Sequence, residues 1–383
     1  MMKINYSKHN ISKNDIKSVI KVLKSDFLTQ GPSVKFFEKK IKKIVSAKYA
    51  FAVNSATSGL HVACMSIGIS KNDVVWTSPN SFVASSNCAL YCGAKIDIVD
   101  IDLKNYSLCQ IKLENKLKST KKKNLPKAIV LVHFAGYATN LERIKRLSKK
   151  YNFKIIEDAS HALGGKYKNS YIGNCQFSDV CVFSFHPVKS ITTGEGGLIT
   201  TNSKKISAKI NLFRNHGINR DKKFLLNKTL KINHYEQIEL GFNYRMSDIE
   251  AALGISQANR LTKFIHKRMS VAKFYDKELI NLPIQKPIFS KDSSWHLYVI
   301  LLKNNSIRKK LFEFLKKKKI NCQIHYIPIH IHPYYKKIGF KKKDFPNSVE
   351  YYERCLSLPI FFDLKFSAQK KIISLIKKFF LNV

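Results

Sequence analysis

Short apolar runs alternate with longer stretches of helical period through the first two hundred residues of the chain. The runs at 50–53, 74–77, 95–99, 128–132, 154–157, 180–183 and 197–200 are four or five residues long and rich in Val, Ile and other apolar types. They read as strands buried on both faces. Between them lie helical patterns such as 60–67 and 141–150. Ahead of them a helix is expected over 13–28, stopped by the breaker pair Gly31-Pro32, with a second helix from about residue 34. Strand and helix in alternation predict an α/β fold, a doubly wound and mostly parallel sheet with its ligand at the carboxyl ends of the strands.

After Asn243-Tyr-Arg-Met-Ser247 the pattern changes. A long amphipathic stretch over 248–261 is followed by apolar residues at 295–301, a helix over 306–319, the segment Cys322-Gln-Ile-His-Tyr326 and a last helix over 367–380. These predict a small α+β domain, so the chain divides into a large domain over 1–247, with an amino-terminal arm, and a small domain over 248–383. A chain of 383 residues with 44% hydrophobic content is long enough for two cores.

Composition narrows the setting. No apolar stretch reaches the roughly 18 residues of a membrane span, and the first residues carry no apolar signal region, which leads us to expect a cytoplasmic protein. The eight cysteines are scattered through apolar segments and read as reduced thiols, not as a metal site. The formal charge of +42 invites a nucleic-acid reading. However, the lysines are spread along the whole chain, and their densest runs, 121–123, 316–319 and 341–343, carry no interleaved aromatics for stacking bases. We therefore expect solvated faces that attract a small anionic substrate, with neither nucleic acid nor membrane as partner.

The candidate chemistry sits at predicted strand ends. Lys189 follows the strand over 180–183, and Asp158 closes the strand over 154–157. An amine able to form a Schiff base, paired with a carboxylate able to hold a pyridinium proton, equips a chain for pyridoxal phosphate. The small polar run Asn54-Ser-Ala-Thr-Ser-Gly59 joins a strand to a helix start, where free N–H groups and the helix dipole favour phosphate. Thr57, the N–H of Ser58 and the hydroxyl of Ser184 are the expected phosphate ligands. Phe82 is placed to stack on the cofactor ring, and His161 to lie against it or to touch its 3′ oxygen.

Together these residues are recognisable. Asn54-Ser-Ala-Thr-Ser-Gly59, Glu157-Asp-Ala-Ser-His-Ala162, Phe183-Ser-Phe-His186 with Lys189, Gly194-Glu-Gly-Gly197, Phe213-Arg-Asn-His-Gly217 and Gly241-Phe-Asn-Tyr-Arg-Met246 resemble the DegT/DnrJ-type sugar aminotransferases over nearly the whole chain. The resemblance implies an aspartate-aminotransferase-like fold, a homodimer with shared active sites, and transfer of an amino group from glutamate to a keto sugar carried on a nucleotide. It makes Lys189 the Schiff-base lysine, adds Ala56 to the cofactor site, and brings Asn243 to the phosphate in the neighbouring subunit. Family relatives with histidine in place of that lysine are dehydratases, so Lys189 points to transamination.

Within the family, Tyr6, the 27–31 turn, Ser81-Phe-Val-Ala84, Ser160-His-Ala-Leu-Gly164 and Gln323-Ile-His-Tyr326 look like the pseudaminic acid branch, which aminates C4 of a UDP-linked 4-keto-6-deoxy hexosamine. That likeness implies Tyr6, Asp26, Phe27, Leu28, Thr29, His186, Gln323, His325 and Tyr326 as substrate contacts. The alternatives are the UDP-4-amino-arabinose type, where an aromatic of another kind replaces Phe82, and the perosamine type. The lysine-rich loop over 219–235 looks longer than usual for the family, and loops of this kind shape substrate pockets.

Overall fold

The computed structural model describes residues 3–219 and 234–382, so the expectation for the 219–235 loop lies almost wholly outside the described residues. Seven strands form one sheet in the order Tyr49–Val53, Gly197–Thr201, Val180–Ser184, Lys154–Asp158, Ala128–Val132, Val74–Thr77, Lys95–Ile98. Five of the neighbouring strands pair in parallel, from Val180–Ser184 outward to Lys95–Ile98. One strand departs from the parallel expectation. Gly197–Thr201 runs antiparallel to both of its neighbours, because the chain turns back through a short loop after Ser184 and makes no helical crossover.

The inner apolar runs are continuous because both faces of the sheet are covered there, whereas the edge strand Lys95–Ile98 alternates and is buried only at Ile98. Ile129, Leu131, Ile155, Phe183 and Leu198 pack with Phe37, Ile41 and Val45 of the helix Pro32–Val45. The intervening residues Val130, Ile156, Val180, Val182 and Ile199 point the other way, onto Leu60, Val62 and Ala63 of the helix Ala56–Ser66 and onto the helices Ala84–Tyr91 and Lys204–Phe213.

The first helix is shorter than its periodicity suggests, spanning Lys13–Leu23. Ser12 and Asp15 form a capping box at its start, and the Ser25 hydroxyl donates to the Val22 carbonyl at 2.8 Å just past its end. Pro32 starts the second helix, with Gly31 as its N-cap, and the Asp248 carboxylate accepts the N–H groups of Gly31 and Ser33, both at 2.7 Å. Asp248 thereby ties the helix Asp248–Ala258 to the amino-terminal helices.

The strands Tyr298–Leu301 and Cys355–Leu358 pair antiparallel in a second core, covered by the helices Asn305–Lys317 and Phe366–Leu381. The long helix Leu261–Glu278 serves both cores: Leu261, Phe264 and Ile265 belong to the first, while Val271, Ala272 and Tyr275 belong to the second. Ala251 and Ala258 also lie in the first core. We propose that the chain divides within this helix, some twenty residues beyond the 247/248 boundary expected from sequence. The amino-terminal arm crosses to the small domain, where the Ile4 N–H donates to Lys319 and the Tyr6 carbonyl accepts from Ile360. All eight cysteines are free thiols, Cys92 and Cys109 being only half-buried. Among the described residues no helix is long and apolar enough to cross a membrane.

Candidate active site

The strands Tyr49–Val53, Val74–Thr77, Ala128–Val132, Lys154–Asp158 and Val180–Ser184 all end at one cavity of about 510 Å³, closed from the other side by the arm and the small domain. Its lining holds twelve of the residues singled out in the sequence: Tyr6, Ala56, Thr57, Phe82, Asp158, His161, Ser184, His186, Lys189, Gln323, His325 and Tyr326. The antiparallel strand matters here. It brings Gly197 between Val53 and Ser184, so that its amino end meets the carboxyl ends of its two neighbours. A Cβ on Gly197 would lie 2.6 Å from the Ser55 carbonyl and 2.7 Å from the Ala56 nitrogen. Only glycine leaves room for the start of the helix Ala56–Ser66 to sit at the cavity.

That helix start differs in one detail from expectation. Ser55 and Ser58 form a capping box in which the Ser58 N–H donates to Ser55 Oγ at 3.1 Å, while the Ser58 hydroxyl donates to Asn54 Oδ1 at 2.6 Å. Ser58 is buried and turned away, and its N–H is already used. Ala56 and Thr57, the first two helical residues, present their N–H groups instead, which no intrahelical carbonyl can reach.

Asp158 is held firmly. Its Oδ1 accepts the Ser160 N–H and hydroxyl at 3.1 and 2.6 Å, and its Oδ2 accepts the Ser85 hydroxyl at 2.5 Å. Ser81 lies behind Ser85 at 2.6 Å. Lys189 lines this cavity and, on its other side, a narrow void behind it. Burial lowers its amine to about 8, Asp158 opposes that fall, and the Arg268 guanidinium adds to it.

Three uncharged imidazoles surround the amine. Desolvation pushes His161 and His296 well below the ordinary histidine range and His325 to about 3, with the positive charge of Lys189 acting in the same direction. The tautomer of His161 follows from its partners. Its Nδ1 accepts the Ala135 N–H at 3.2 Å, so Nε2 carries the proton and donates to the Tyr326 hydroxyl at 2.9 Å. With both nitrogens engaged, His161 has only its ring to offer a ligand, which favours lying against a cofactor ring over bonding to the 3′ oxygen. His296 lies beside it, with ring centroids 4.2 Å apart and the planes tilted by 38°.

Asn243 is exposed, opposite Asn215 in an isolated bridge, and does not line this cavity. Asp26, Phe27, Leu28 and Thr29 are also exposed and lie away from it, beside the start of the helix Asp248–Ala258, where the Leu28 carbonyl accepts the Asp248 N–H at 3.0 Å. Sequence reasoning missed His296, Ser85 and Glu195 as neighbours of the site. Ser85 lies in the first turn of the helix Ala84–Tyr91, which begins at the end of the Ser81-Phe-Val-Ala84 segment already singled out.

A model of the DegT/DnrJ/EryC1/StrS aminotransferase family matches residues 9–377. The chain belongs to this family. A Campylobacter jejuni protein named UDP-4-amino-4,6-dideoxy-N-acetyl-beta-L-altrosamine transaminase is 39% identical, over 93% of this chain and 92% of that one. The Bacillus subtilis spore coat polysaccharide biosynthesis protein SpsC is 35% identical, over 93% and 92% of the two chains. Among solved structures, Helicobacter pylori PseC, described as an aminotransferase in the biosynthesis of pseudoaminic acid, superposes with a TM-score of 0.91 at 31% identity and full coverage of both chains.

The protein is accordingly a pyridoxal phosphate-dependent sugar aminotransferase of the aspartate-aminotransferase-like fold. Its residues fit that cofactor: a helix start with two unpaired N–H groups beside a glycine that clears the way, a buried amine of lowered basicity, and a carboxylate fixed by three hydrogen bonds.

Proposed function

We propose that this enzyme transfers the amino group of glutamate to C4 of a UDP-linked 4-keto-6-deoxy-N-acetylhexosamine, giving the 4-amino sugar used in pseudaminic acid biosynthesis. The single observation that carries the substrate is the 39% identity, over nine-tenths of both chains, to the Campylobacter jejuni transaminase. The cavity supports the reaction class.

Bound there, pyridoxal phosphate supplies an electron sink for the electron pair released at the substrate carbon. The residues of the chain do the rest. In our reading Ala56 and Thr57 give their N–H groups to the phosphate at the positive end of the helix dipole, with the hydroxyls of Thr57 and Ser184 beside them. Asp158, its carboxylate oriented by Ser85 and Ser160, keeps the ring nitrogen protonated. Phe82 and the ring of His161 hold the cofactor plane. Lys189, with its amine lowered to about 8, is partly neutral near neutral pH, and so can take the proton from one carbon and return it to the other. Tyr6, His186, Gln323, His325 and Tyr326 form the part of the cavity left for glutamate and sugar. Asn243 and residues 26–29, exposed and off this cavity, can serve a site only across a dimer interface, which we propose as the working assembly.

The test is an assay of the purified enzyme with glutamate against a panel of nucleotide-linked keto sugars, with products identified by mass spectrometry. The UDP-linked 4-keto-6-deoxy-N-acetylhexosamine should give the highest kcat/KM. Preference for a keto pentose or for a sugar on another nucleotide would overturn the substrate while leaving transamination intact. The likeness to a spore coat polysaccharide protein favours that second reading, in which the same chemistry acts on another sugar.

A further inference from the structure

Arg268 is a buried cation with no carboxylate partner. It sits midway along the helix Leu261–Glu278, only 3% exposed, and no ion pair is formed by it among the described residues. Its guanidinium donates instead to four backbone carbonyls on three separate segments: Nη1 to Trp295, His296 and Ile360 at 3.4, 3.1 and 3.0 Å, and Nη2 to Val188 at 3.3 Å. Val188 is the residue before Lys189. Arg268 and Lys189 also border the same narrow void behind the cavity. Burying an unpaired guanidinium is costly, and carbonyl dipoles only partly offset that cost. A side chain that did no more than tie three loops together need not carry a full charge.

We infer that Arg268 is a positioning residue for Lys189, fixing from behind the loop that carries the amine and holding the amine in its neutral, proton-accepting form. The inference rests on the reading of Lys189 as the reactive amine. The charge balance around that amine is short. Asp158, at the end of its strand, favours the protonated form, and Glu195 on the loop of Lys189 itself also lines the cavity. His161, His296 and His325, each on a different segment, are uncharged at working pH, and Tyr6 and Tyr326 are held protonated by burial. Lys8 and His9 of the arm border the void with Arg268, and His186 flanks the lysine on its own loop. Arg268 is the cation that acts directly on Lys189 against Asp158. Its own guanidinium, brought down to about 10 by burial, still stays charged at neutral pH.

The experiment loads the enzyme with pyridoxamine phosphate, which leaves the Lys189 amine free, and labels amines competitively with acetic anhydride across neutral to alkaline pH. Mass spectrometry of the peptide carrying Lys189 then gives the midpoint of its titration without any turnover. In the wild type the midpoint should fall near 8, well below that of an ordinary lysine. In Arg268→Gln it should rise, and the acidic limb of the kcat profile should rise with it. Arg268→Lys, which keeps a charge but loses the fork, should hold the midpoint while lowering kcat more than KM.

An unshifted midpoint in a folded Arg268→Gln enzyme overturns the inference. So does a wild-type midpoint at the ordinary lysine value, which decides the matter even if the glutamine variant fails to fold. Failure of the underlying reading looks different. If Lys189→Ala retained turnover, the lysine would not be the reactive group, whatever Arg268 does to its titration.

Discussion

At the residue scale, the site pairs an amine made less basic with a carboxylate held in place, and each half can be removed separately. Lys189→Ala should abolish the visible absorption of the bound cofactor and lower turnover by more than about a thousandfold, with the fold retained by circular dichroism. Asp158→Asn should keep the cofactor, judged by retention through gel filtration, yet lose about a hundred- to a thousandfold in kcat, because an amide no longer holds the ring proton. The lowered amine also predicts a pH dependence of stability in cofactor-free protein. The folded chain releases the Lys189 proton near pH 8, whereas the unfolded chain keeps it until about 10.4. Between those values the unfolded state binds the extra proton, so the contribution of Lys189 to stability rises with pH through that window. Denaturant unfolding at both ends of it should show a steeper rise in wild type than in Lys189→Met. Equal slopes would contradict the assigned titration.

At the scale of elements, the approach of the antiparallel strand to the helix Ala56–Ser66 is a tight constraint on the site. Gly197→Ala forces a methyl group against the Ser55 carbonyl and the Ala56 nitrogen, which should cost about 1–3 kcal/mol of stability. Because the shift falls on the helix start, cofactor affinity should fall too. Thermal melting and equilibrium dialysis with pyridoxal phosphate measure the two effects separately, and full retention of both would show that the strand and the helix start can part at no cost.

The legibility of the fold follows the same division. The inner apolar runs were readable because both sheet faces are covered there, which leaves no polar alternation to obscure them, while the edge strand Lys95–Ile98 alternates polar and apolar residues and was readable by that period. Lys189, Asp158 and Thr57 were readable because they lie at the ends of those runs. The direction of Gly197–Thr201 was not, since an apolar run carries no sign of which way its neighbours point. Nor was Arg268, whose four carbonyl partners come from segments up to 92 residues away in sequence. Ser58 was misread because its N–H is claimed by a local cap, a competition between two good uses of the same helix start.

At the scale of the whole molecule, the proposed assembly bears on how copies meet. Phe27, Leu28 and Phe36 are 54, 47 and 61% exposed, and Asn243 faces outward. If two chains complete one another's sites, mixing inactive Lys189→Ala with weakened Asn243→Ala chains should restore measurable activity, because one of the two sites in each hybrid then has both residues. Sedimentation gives the independent check, and a fully active monomer would end the shared-site model.

The reversed strand also sets an order in time. Among the described residues, Tyr49–Val53 at the edge of the sheet pairs only with Gly197–Thr201, and Tyr49 lies opposite Thr201. On the ribosome the first strand to be made therefore waits for a partner synthesised about 150 residues later, roughly eight to thirty seconds at ordinary elongation rates. The helix start beside it stays unsupported for the same interval. Stalled nascent chains ending before residue 197 should take up no pyridoxal phosphate, and those that expose residue 201 beyond the exit tunnel should begin to.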